Sequence, residues 1–293
     1  MRNVFRELIY KKNIIFLIFV ICFMFVFSSC SHKKVNSSRS DSNSGSIAAD
    51  LSGSIFSAND SFDRIGEEML KEDPLLLECS EGKFEEAKNK IFLTAKSDDQ
   101  YSEMNYRLGA CYYIAKNITK AFYFWTKAAA GTKNERIKGN SFFNLSVAHK
   151  IKKNSKKALV LAREAYSLRK SPIVIYHLAT LELELNLIDA LANRYDELQQ
   201  ISSSTDPRWL NLLGDTSLKL SYFDKAESYY SKIPQDNLRK NPIAICNYVV
   251  SLYRTSKFIK LTTVLNEYKL ELQEESYYKN IIGKFPEILK YDK

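Results

Sequence analysis

Glycine and proline are scarce in this sequence, with 9 and 6 occurrences in 293 residues. Turn-rich all-β proteins depend on both residues, so their scarcity argues against that class and favours helices. Hydrophobic residues make up 45% of the chain and charged residues 26%. This balance allows a sizeable core, and the length allows one large domain or two small ones.

Catalytic motifs are also missing. The sequence has only three histidines and contains no HExxH, no GxSxG and no glycine-rich phosphate loop. Glu182 and Glu184 stand two residues apart on a predicted helix, so their carboxylates diverge, as is typical of solvated side chains. We therefore expect no enzyme activity, no metal site and no cofactor.

Cysteine is present but shows no metal-ligand spacing. Cys79, Cys111 and Cys246 are far apart in the sequence, and none of them belongs to a CxxC motif. Their spacing favours buried packing over a disulfide, and no pairing can be assigned.

The formal charge is +9 at pH 7. The first twelve residues carry +3 of it, and the remainder is expected to be diffuse. A diffuse positive charge permits contact with an acidic surface such as anionic lipid headgroups, but it lacks the basic stripe of a nucleic-acid binder. We expect no nucleic-acid partner.

The N-terminus has the organisation of a secretory signal. Basic residues precede an apolar run, Ile14–Phe27. A membrane-spanning helix needs about 20 apolar residues, so this run is too short for one and fits a secretory signal. The small residues Ser28 and Ser29 then lead to Cys30, and here the sequence resembles a bacterial lipoprotein signal. Phe27 departs from the aliphatic residue usual in that family. The alternative is an uncleaved membrane anchor in which Cys30 has no role.

The lipoprotein resemblance implies cleavage of residues 1–29 and acylation of Cys30, for example with palmitate. In the family, the residue after the cysteine influences sorting, and Ser31 favours the outer over the inner membrane. The serine-rich segment that follows has few large apolar groups and cannot offset its ordering entropy. Residues 30–60 are therefore predicted to be the lipidated cysteine with a disordered tether.

Self-similarity appears in the rest of the chain. One segment resembles the tetratricopeptide repeat (TPR) through Leu108-Gly109, Tyr112, Ala121, Trp125 and Ala128. The small residue in the second helix of this repeat serves as a marker, and it recurs at intervals of 34, 37, 33, 35 and 35 residues. The marker residues are Ala87, Ala121, Ala158, Leu191, Ala226 and Leu261.

This resemblance implies an all-α fold. We expect residues 61–293 to form a TPR-like helical-hairpin solenoid of about five to six repeats, with a capping helix at the C-terminus. Leu191 and Leu261 replace the small residue, so their repeats are degenerate. Pro172, Pro207 and Pro242 lie at expected helix starts, where the missing N–H costs nothing.

In the family, certain positions of each first helix face a concave groove. Aromatic, amide and guanidinium groups along such a groove suit an extended peptide. Packing of several of the tyrosines between helices is the alternative. Carried over residue by residue, the resemblance implies partner binding by Tyr106, Arg107, Tyr113, Phe143, Asn144, Lys150, Tyr176, His177, Asn211, Asp215, Asn247, Tyr253 and Arg254.

Histidine positions fit the same register. His149 replaces an interface aromatic, so we expect it to be packed in the core. His177 is expected on the concave side, and both ligand binding and simple solvation are open for it. His32 belongs to the predicted tether.

The sequence thus predicts a lipid-anchored, extracytoplasmic scaffold or adaptor that binds protein or peptide partners in the cell envelope. Two alternatives from other classes stay open. One is a cell-wall-directed enzyme built on the repeats, and the other is a receptor that encloses a small ligand. The sequence identifies neither the partner nor the oligomeric state.

Overall fold

The computed structural model describes residues 74–93, 97–201 and 205–291, all within one compact unit. The predicted signal (1–29), Cys30, the tether and the start of the predicted solenoid lie outside the described residues. Secondary structure in the described ranges is entirely helical. No helix in these ranges is both long and apolar enough to span a bilayer.

Six helical hairpins follow one another along the described chain, and each has a first and a second helix. The pairs are α1 (Pro74–Ser80) with α2 (Phe84–Leu93), α3 (Asp98–Ile114) with α4 (Ile118–Gly131), α5 (Glu135–Ile151) with α6 (Ser155–Leu168), α7 (Pro172–Glu184) with α8 (Ile188–Ile201), α9 (Pro207–Lys219) with α10 (Phe223–Tyr230), and α12 (Pro242–Arg254) with α13 (Phe258–Glu267). The predicted helical-hairpin solenoid is confirmed.

Shorter elements make up the remaining helices of the described residues. Helix α11 (Gln235–Arg239) lies between the fifth and sixth hairpins. Helix α14 (Lys269–Glu274), helix α15 (Ser276–Lys284) and a 3-10 helix at Pro286–Lys290 follow the last hairpin. Tyr278 and Ile281 of α15 are buried in the same apolar cluster as α12 and α13.

The turn inside each hairpin repeats one backbone conformation. Each turn has a residue at positive φ five positions before the marker. The N–H of the next residue donates a hydrogen bond to a carbonyl in the last turn of the first helix. In the second hairpin, for example, the Asn117 N–H donates to the Tyr112 carbonyl at 2.8 Å, as in a Schellman C-cap. The residues and φ angles are Gly82 (83°), Lys116 (59°), Lys153 (57°), Asn186 (57°), Ser221 (62°) and Ser256 (57°).

The marker residues lie where the two helices of a hairpin meet. All six have 0% exposure, and this includes Leu191 and Leu261 of the degenerate repeats. The intervals read from the sequence therefore correspond to one packing position that recurs through the array.

The first helices form the buried layer of the array. Every residue from Val174 to Leu183 in α7 is buried, whereas α6, a second helix, keeps an exposed outer face. Glu182 shows the consequence. It is 1% exposed and accepts hydrogen bonds from Arg194 at 2.7 and 3.1 Å. The expectation that Glu182 is solvated was wrong, because no side of its helix faces solvent.

Cys79 and Cys111 form a disulfide with a Cα–Cα distance of 5.6 Å. The expectation of separate buried thiols was wrong for this pair. Their separation of 32 residues is close to one repeat, so the two cysteines lie on the first helices of consecutive hairpins. Cys246 is a buried free thiol, as expected, and burial raises its pKa.

Gly109 and Gly214 lie on first helices at points of close approach. A Cβ on Gly109 would overlap the Trp125 ring, and a Cβ on Gly214 would lie 2.7 Å from the Tyr230 ring. Both aromatic residues belong to the second helix of the same hairpin and are fully buried. The absence of a side chain therefore lets the two helices pack at this distance.

Gly214→Ala is expected to lower the free energy of unfolding by about 1–3 kcal/mol, because the added methyl group displaces Tyr230 from a filled core. Gly283→Ala is the matched control, since no atom lies within 4 Å of a Cβ added inside α15. Alanine there should raise stability by about 0.5–1 kcal/mol. Urea unfolding of both variants measures this, and no loss in Gly214→Ala would contradict the close approach.

Candidate functional site

The thirteen predicted groove residues all lie on the first helices α3, α5, α7, α9 and α12. Most of them are buried, and this holds for Tyr113, Phe143, Asn144, Tyr176, His177, Asn211, Asp215 and Asn247. Tyr106, Arg107, Lys150, Tyr253 and Arg254 are half-buried. We call this set the inner face.

Asp215 is the centre of a polar cluster on the inner face. Its carboxylate accepts hydrogen bonds from the Tyr230 hydroxyl at 2.5 Å, from Asn247 Nδ2 at 2.7 Å and from Asn211 Nδ2 at 3.1 Å. The Tyr277 hydroxyl in turn donates to Asn247 Oδ1 at 3.2 Å. The cluster thus joins α9, α10, α12 and α15.

Burial raises the pKa of Asp215 to about 7, although hydrogen bonds from Tyr230, Asn247 and Asn211 act in the opposite direction. An acceptor for the added proton is available within the cluster. Asn211 Oδ1 has no hydrogen-bond partner in the described structure, and a rotated Asn211 amide could accept a hydrogen bond from protonated Asp215. The cluster therefore accommodates both protonation states of this carboxyl.

His177 joins two hairpins. Ser146 Oγ donates to the Ala158 carbonyl at 2.6 Å, so the imidazole Nε2–H donates to Ser146 Oγ at 2.8 Å. Burial, with a smaller effect of Lys150, lowers the pKa of His177 to about 3, which keeps the ring neutral. Burial of His177 excludes the simple solvation that was left open for it, and ligand binding by His177 stays a prediction.

His149 is a packed histidine, as expected. It is buried and meets Phe122 edge to face, with ring centroids 4.6 Å apart. Burial lowers its pKa, and the nearby Lys157 and Lys152 lower it further. Both lysines therefore lie close enough to the ring to act on its protonation.

Lys150 lies between its own hairpin and the next one. Its ammonium is 3.8 Å from the Glu184 carboxylate, which also accepts a hydrogen bond from Ser155 at 2.6 Å. Burial lowers the pKa of Lys150 against the opposing effect of Glu184. Phe143 contacts His177 edge to face, with centroids 5.4 Å apart.

Several inner-face aromatics pack between helices. Tyr113 meets Trp125 with centroids 5.4 Å apart, and Tyr176 meets Trp209 with centroids 5.1 Å apart. For these two tyrosines the alternative interpretation, packing between helices, is the one observed.

The two ends of the inner face are less buried. At one end Arg107 pairs with Glu103 at 3.2 Å, and half-buried Tyr106 packs against the neighbouring core cluster. At the other end the Arg254 guanidinium lies 5.0 Å from the Phe285 ring centroid, and Tyr253 lies 5.4 Å from the same ring.

Asn144 holds a buried polar atom with no described partner. The residue is 2% exposed, and its Nδ2 forms no hydrogen bond within the part of the chain that the structure describes. A buried amide donor left unpaired costs about 1–3 kcal/mol. The inner face therefore retains hydrogen-bonding capacity that the described fold does not use.

Sequence reasoning missed two members of the Asp215 cluster. Tyr230 occupies the aromatic position four residues after the marker Ala226, as Trp125 does after Ala121, and the repeat pattern carries no signal for a hydrogen bond there. Tyr277 lies beyond the repeats, so no repeat position identified it. No group of three or more His, Cys, Asp or Glu residues in the described ranges could hold a metal ion.

No protein-family model and no curated protein matches the sequence. Among solved structures, the chain is similar to the APC/C hetero-tetramer Cut9–Hcn1, with 17% identity, 80% of this chain and 47% of that chain covered, and a TM-score of 0.48. It is also similar to the TPR2AB domain of yeast Sti1 solved with pHSP90, with 14% identity, 85% and 98% coverage, and a TM-score of 0.33. The chain thus spans about half the length of the first of these.

Asp215 is expected to make stability depend on pH. Its folded pKa of about 7 exceeds the ordinary value of 3.8, so the folded state binds more protons between these values. The protonated Asp215 carboxyl therefore contributes in full to the free energy of unfolding below its ordinary pKa. This contribution, on the order of 4 kcal/mol, is lost as the pH rises through 7.

Urea unfolding from about pH 5 to 8 measures this slope. Asp215→Asn should flatten it, because the amide resembles the protonated carboxyl. Asp196→Asn, at an exposed carboxyl on α8, is the control and should leave the slope unchanged. Equal slopes in the parent and in Asp215→Asn would contradict the raised pKa.

Proposed function

We propose that the chain is a lipid-anchored extracytoplasmic scaffold whose inner face binds an extended segment of a protein partner. The observation that carries the proposal is the inner face itself. Consecutive first helices present a row of polar side chains, and in it Asn144 Nδ2 and Asn211 Oδ1 have no partner among the described residues. An array of this kind gives a partner many similar contacts along one direction.

A peptide backbone supplies the chemistry that these amides lack. Each residue of an extended peptide offers one N–H and one C=O. Asn211 Oδ1 and Asn144 Nδ2 are buried in this structure, so in this proposal the two side chains rotate towards the surface when a peptide pairs with them. The half-buried Tyr106 and Tyr253 add ring surface at the two ends of the inner face. Partly exposed aromatics next to buried polar groups are typical of protein interfaces.

The Cys79–Cys111 disulfide supports an extracytoplasmic location. Disulfides persist in oxidising compartments and are rare in the reducing cytosol. The bond joins the first two hairpins, at the end of the array that follows the predicted tether. The first hairpin is the shortest of the six in the described ranges. The disulfide stabilises this hairpin by joining it to the second one.

The anchor in this proposal is Cys30, which lies outside the described residues. One acyl chain binds a bilayer marginally, and two or more hold a protein stably. Residue 31 is serine, which favours the outer membrane in this proposal. The anchor keeps the inner face near the envelope and raises the effective concentration of a partner there.

Photocrosslinking in intact cells tests the inner face. A photoreactive amino acid at Tyr106 or Tyr253 should give a covalent product with a polypeptide partner, whereas one at Asn193, exposed on the second helix α8, should not. Asn144→Leu removes the amide and should reduce the product several-fold. Hydrolysis of peptidoglycan fragments by the purified full chain, with no crosslink at either inner position, would contradict the proposal and favour the enzyme alternative.

Cys30→Ala tests the anchor. Metabolic labelling with a palmitate analogue should mark the parent chain and leave the variant unlabelled, and the variant should leave the membrane fraction. Cys246→Ala is the control, because that thiol is buried. Lipidation would be contradicted if the parent chain carried no acyl label and the variant stayed fully membrane-bound. That result would favour the uncleaved anchor.

A further inference from the structure

The positive charge of the chain is concentrated in one segment. Residues 116–170 contain fourteen Lys and Arg against two acidic residues, Glu135 and Glu164, a net charge of +12. The whole chain carries +9, so all other residues together carry −3. The expectation of a diffuse charge was wrong, because it averaged this segment with the rest.

Most of these side chains are exposed and lack acidic partners. None of the exposed ones forms an ion pair within residues 74–93, 97–201 and 205–291. The eleven exposed residues are Lys116, Lys120, Lys127, Lys133, Arg136, Lys152, Lys153, Lys156, Lys157, Arg163 and Lys170.

Six of these lysines lie at the turns of two consecutive hairpins. We call them the basic edge, and they are Lys116, Lys120, Lys152, Lys153, Lys156 and Lys157. Contacts show that the two turns are neighbours. The Lys152 ammonium of one hairpin lies 5.1 Å from the Phe122 ring centroid of the other, and Phe122 contacts His149.

Exposed apolar side chains accompany this charge. Tyr123 on α4 is 54% exposed and Val160 on α6 is 59% exposed. Both stand two residues after the marker, one helical turn beyond the basic edge, and the Lys127 ammonium lies 4.6 Å from the Tyr123 ring centroid. In the other four hairpins the same position holds a polar residue, namely Asn89, Asn193, Ser228 or Thr263.

We propose that the basic edge, with Tyr123 and Val160, docks on the surface of an anionic phospholipid bilayer. Lysine provides nine of the eleven exposed cations, and its ammonium acts as a point charge. Protein partners that use paired carboxylates are better matched by the planar fork of arginine. Tyrosine and snorkelling lysine are the residues that bilayer–water interfaces favour.

This docking is separate from the inner face, because it uses the hairpin turns and the outer sides of α4 and α6. It fixes which edge of the array lies on the membrane, whereas the proposed acyl anchor fixes only the distance that the tether allows. Attraction to a bilayer surface falls off within about a Debye length, so the anchor assists by keeping the basic edge close.

The test uses the purified full chain reconstituted in vesicles of phosphatidylcholine alone or with phosphatidylglycerol. The rate at which a membrane-impermeant reagent acylates each lysine is measured by mass spectrometry. We expect the lysines of the basic edge to react about five-fold more slowly in the anionic vesicles. This protection should vanish at about 1 M salt, where the Debye length is about 3 Å. Equal rates in the two vesicle types would overturn the proposal.

Two variants that change the net charge by the same amount show whether the position of the lysines matters. Replacing Lys152, Lys153, Lys156 and Lys157 by Glu should abolish protection of Lys116 and Lys120. The matched control replaces four exposed lysines outside the segment, Lys232, Lys240, Lys269 and Lys279, by Glu, and should retain it. Loss of protection in both variants alike would show an effect of net charge only and overturn the proposal. Thermal unfolding by circular dichroism confirms that both variants fold.

A variant that keeps every charge separates a bilayer from an acidic protein. Tyr123→Asn with Val160→Asn installs the residue found at this position in other hairpins, and it should weaken protection by anionic vesicles. Polyglutamate serves as the acidic-polypeptide probe. Protection by polyglutamate, with none by anionic vesicles, would overturn the proposal in favour of an acidic protein partner.

Cys30→Ala distinguishes this proposal from the anchor. Loss of acyl labelling with retained protection in anionic vesicles supports both proposals. An acylated parent chain that shows no protection overturns the docking and leaves the anchor standing.

Discussion

The close approach of two helices within each hairpin is the constraint on which the rest of the structure depends. The marker residues are fully buried in all six hairpins, and each turn uses one left-handed residue at a fixed distance from the marker. Because the turn geometry is constant, the turns recur at equivalent positions from hairpin to hairpin. The identity of the turn residues can then vary without disturbing the core, which leaves their side chains available for other roles.

Hairpins are joined to one another by buried polar contacts as well as by apolar packing. The Asp215 cluster, the His177–Ser146 bond and the Lys150–Glu184 pair each connect neighbouring hairpins through buried or half-buried groups. A buried polar group is costly unless its partner is in place. These contacts therefore fix the relation between hairpins more strictly than aliphatic packing alone, and they keep the rows of turns and of inner-face residues in register.

The sequence was sufficient for the fold, because the repeat spacing reports a packing position directly. Ala121 and Leu191 differ in size yet occupy equivalent sites, and the helix starts at Pro172, Pro207 and Pro242 follow from local chemistry. The disulfide was missed because proximity across hairpins depends on register, and the cysteines were assessed without it. The burial of His177 and Glu182 was missed because α7 is enclosed on all sides from Val174 to Leu183, whereas a periodicity argument assumes one exposed face.

Several hairpins carry a lysine directly before the marker residue, and comparing them shows that the fold does not require this charge to be unpaired. In the sixth hairpin Lys260 pairs with Glu227 at 2.7 Å, and Lys257 pairs with the same carboxylate. Lys157 in the third hairpin has the same position, but no carboxylate pairs with it in the described ranges. Like charges left uncompensated destabilise a compact state through repulsion. A local cost without a compensating internal contact is expected where a surface meets something outside the chain. The second and third hairpins, which also expose Tyr123 and Val160, concentrate such unpaired lysines, although single ones such as Lys225 occur elsewhere.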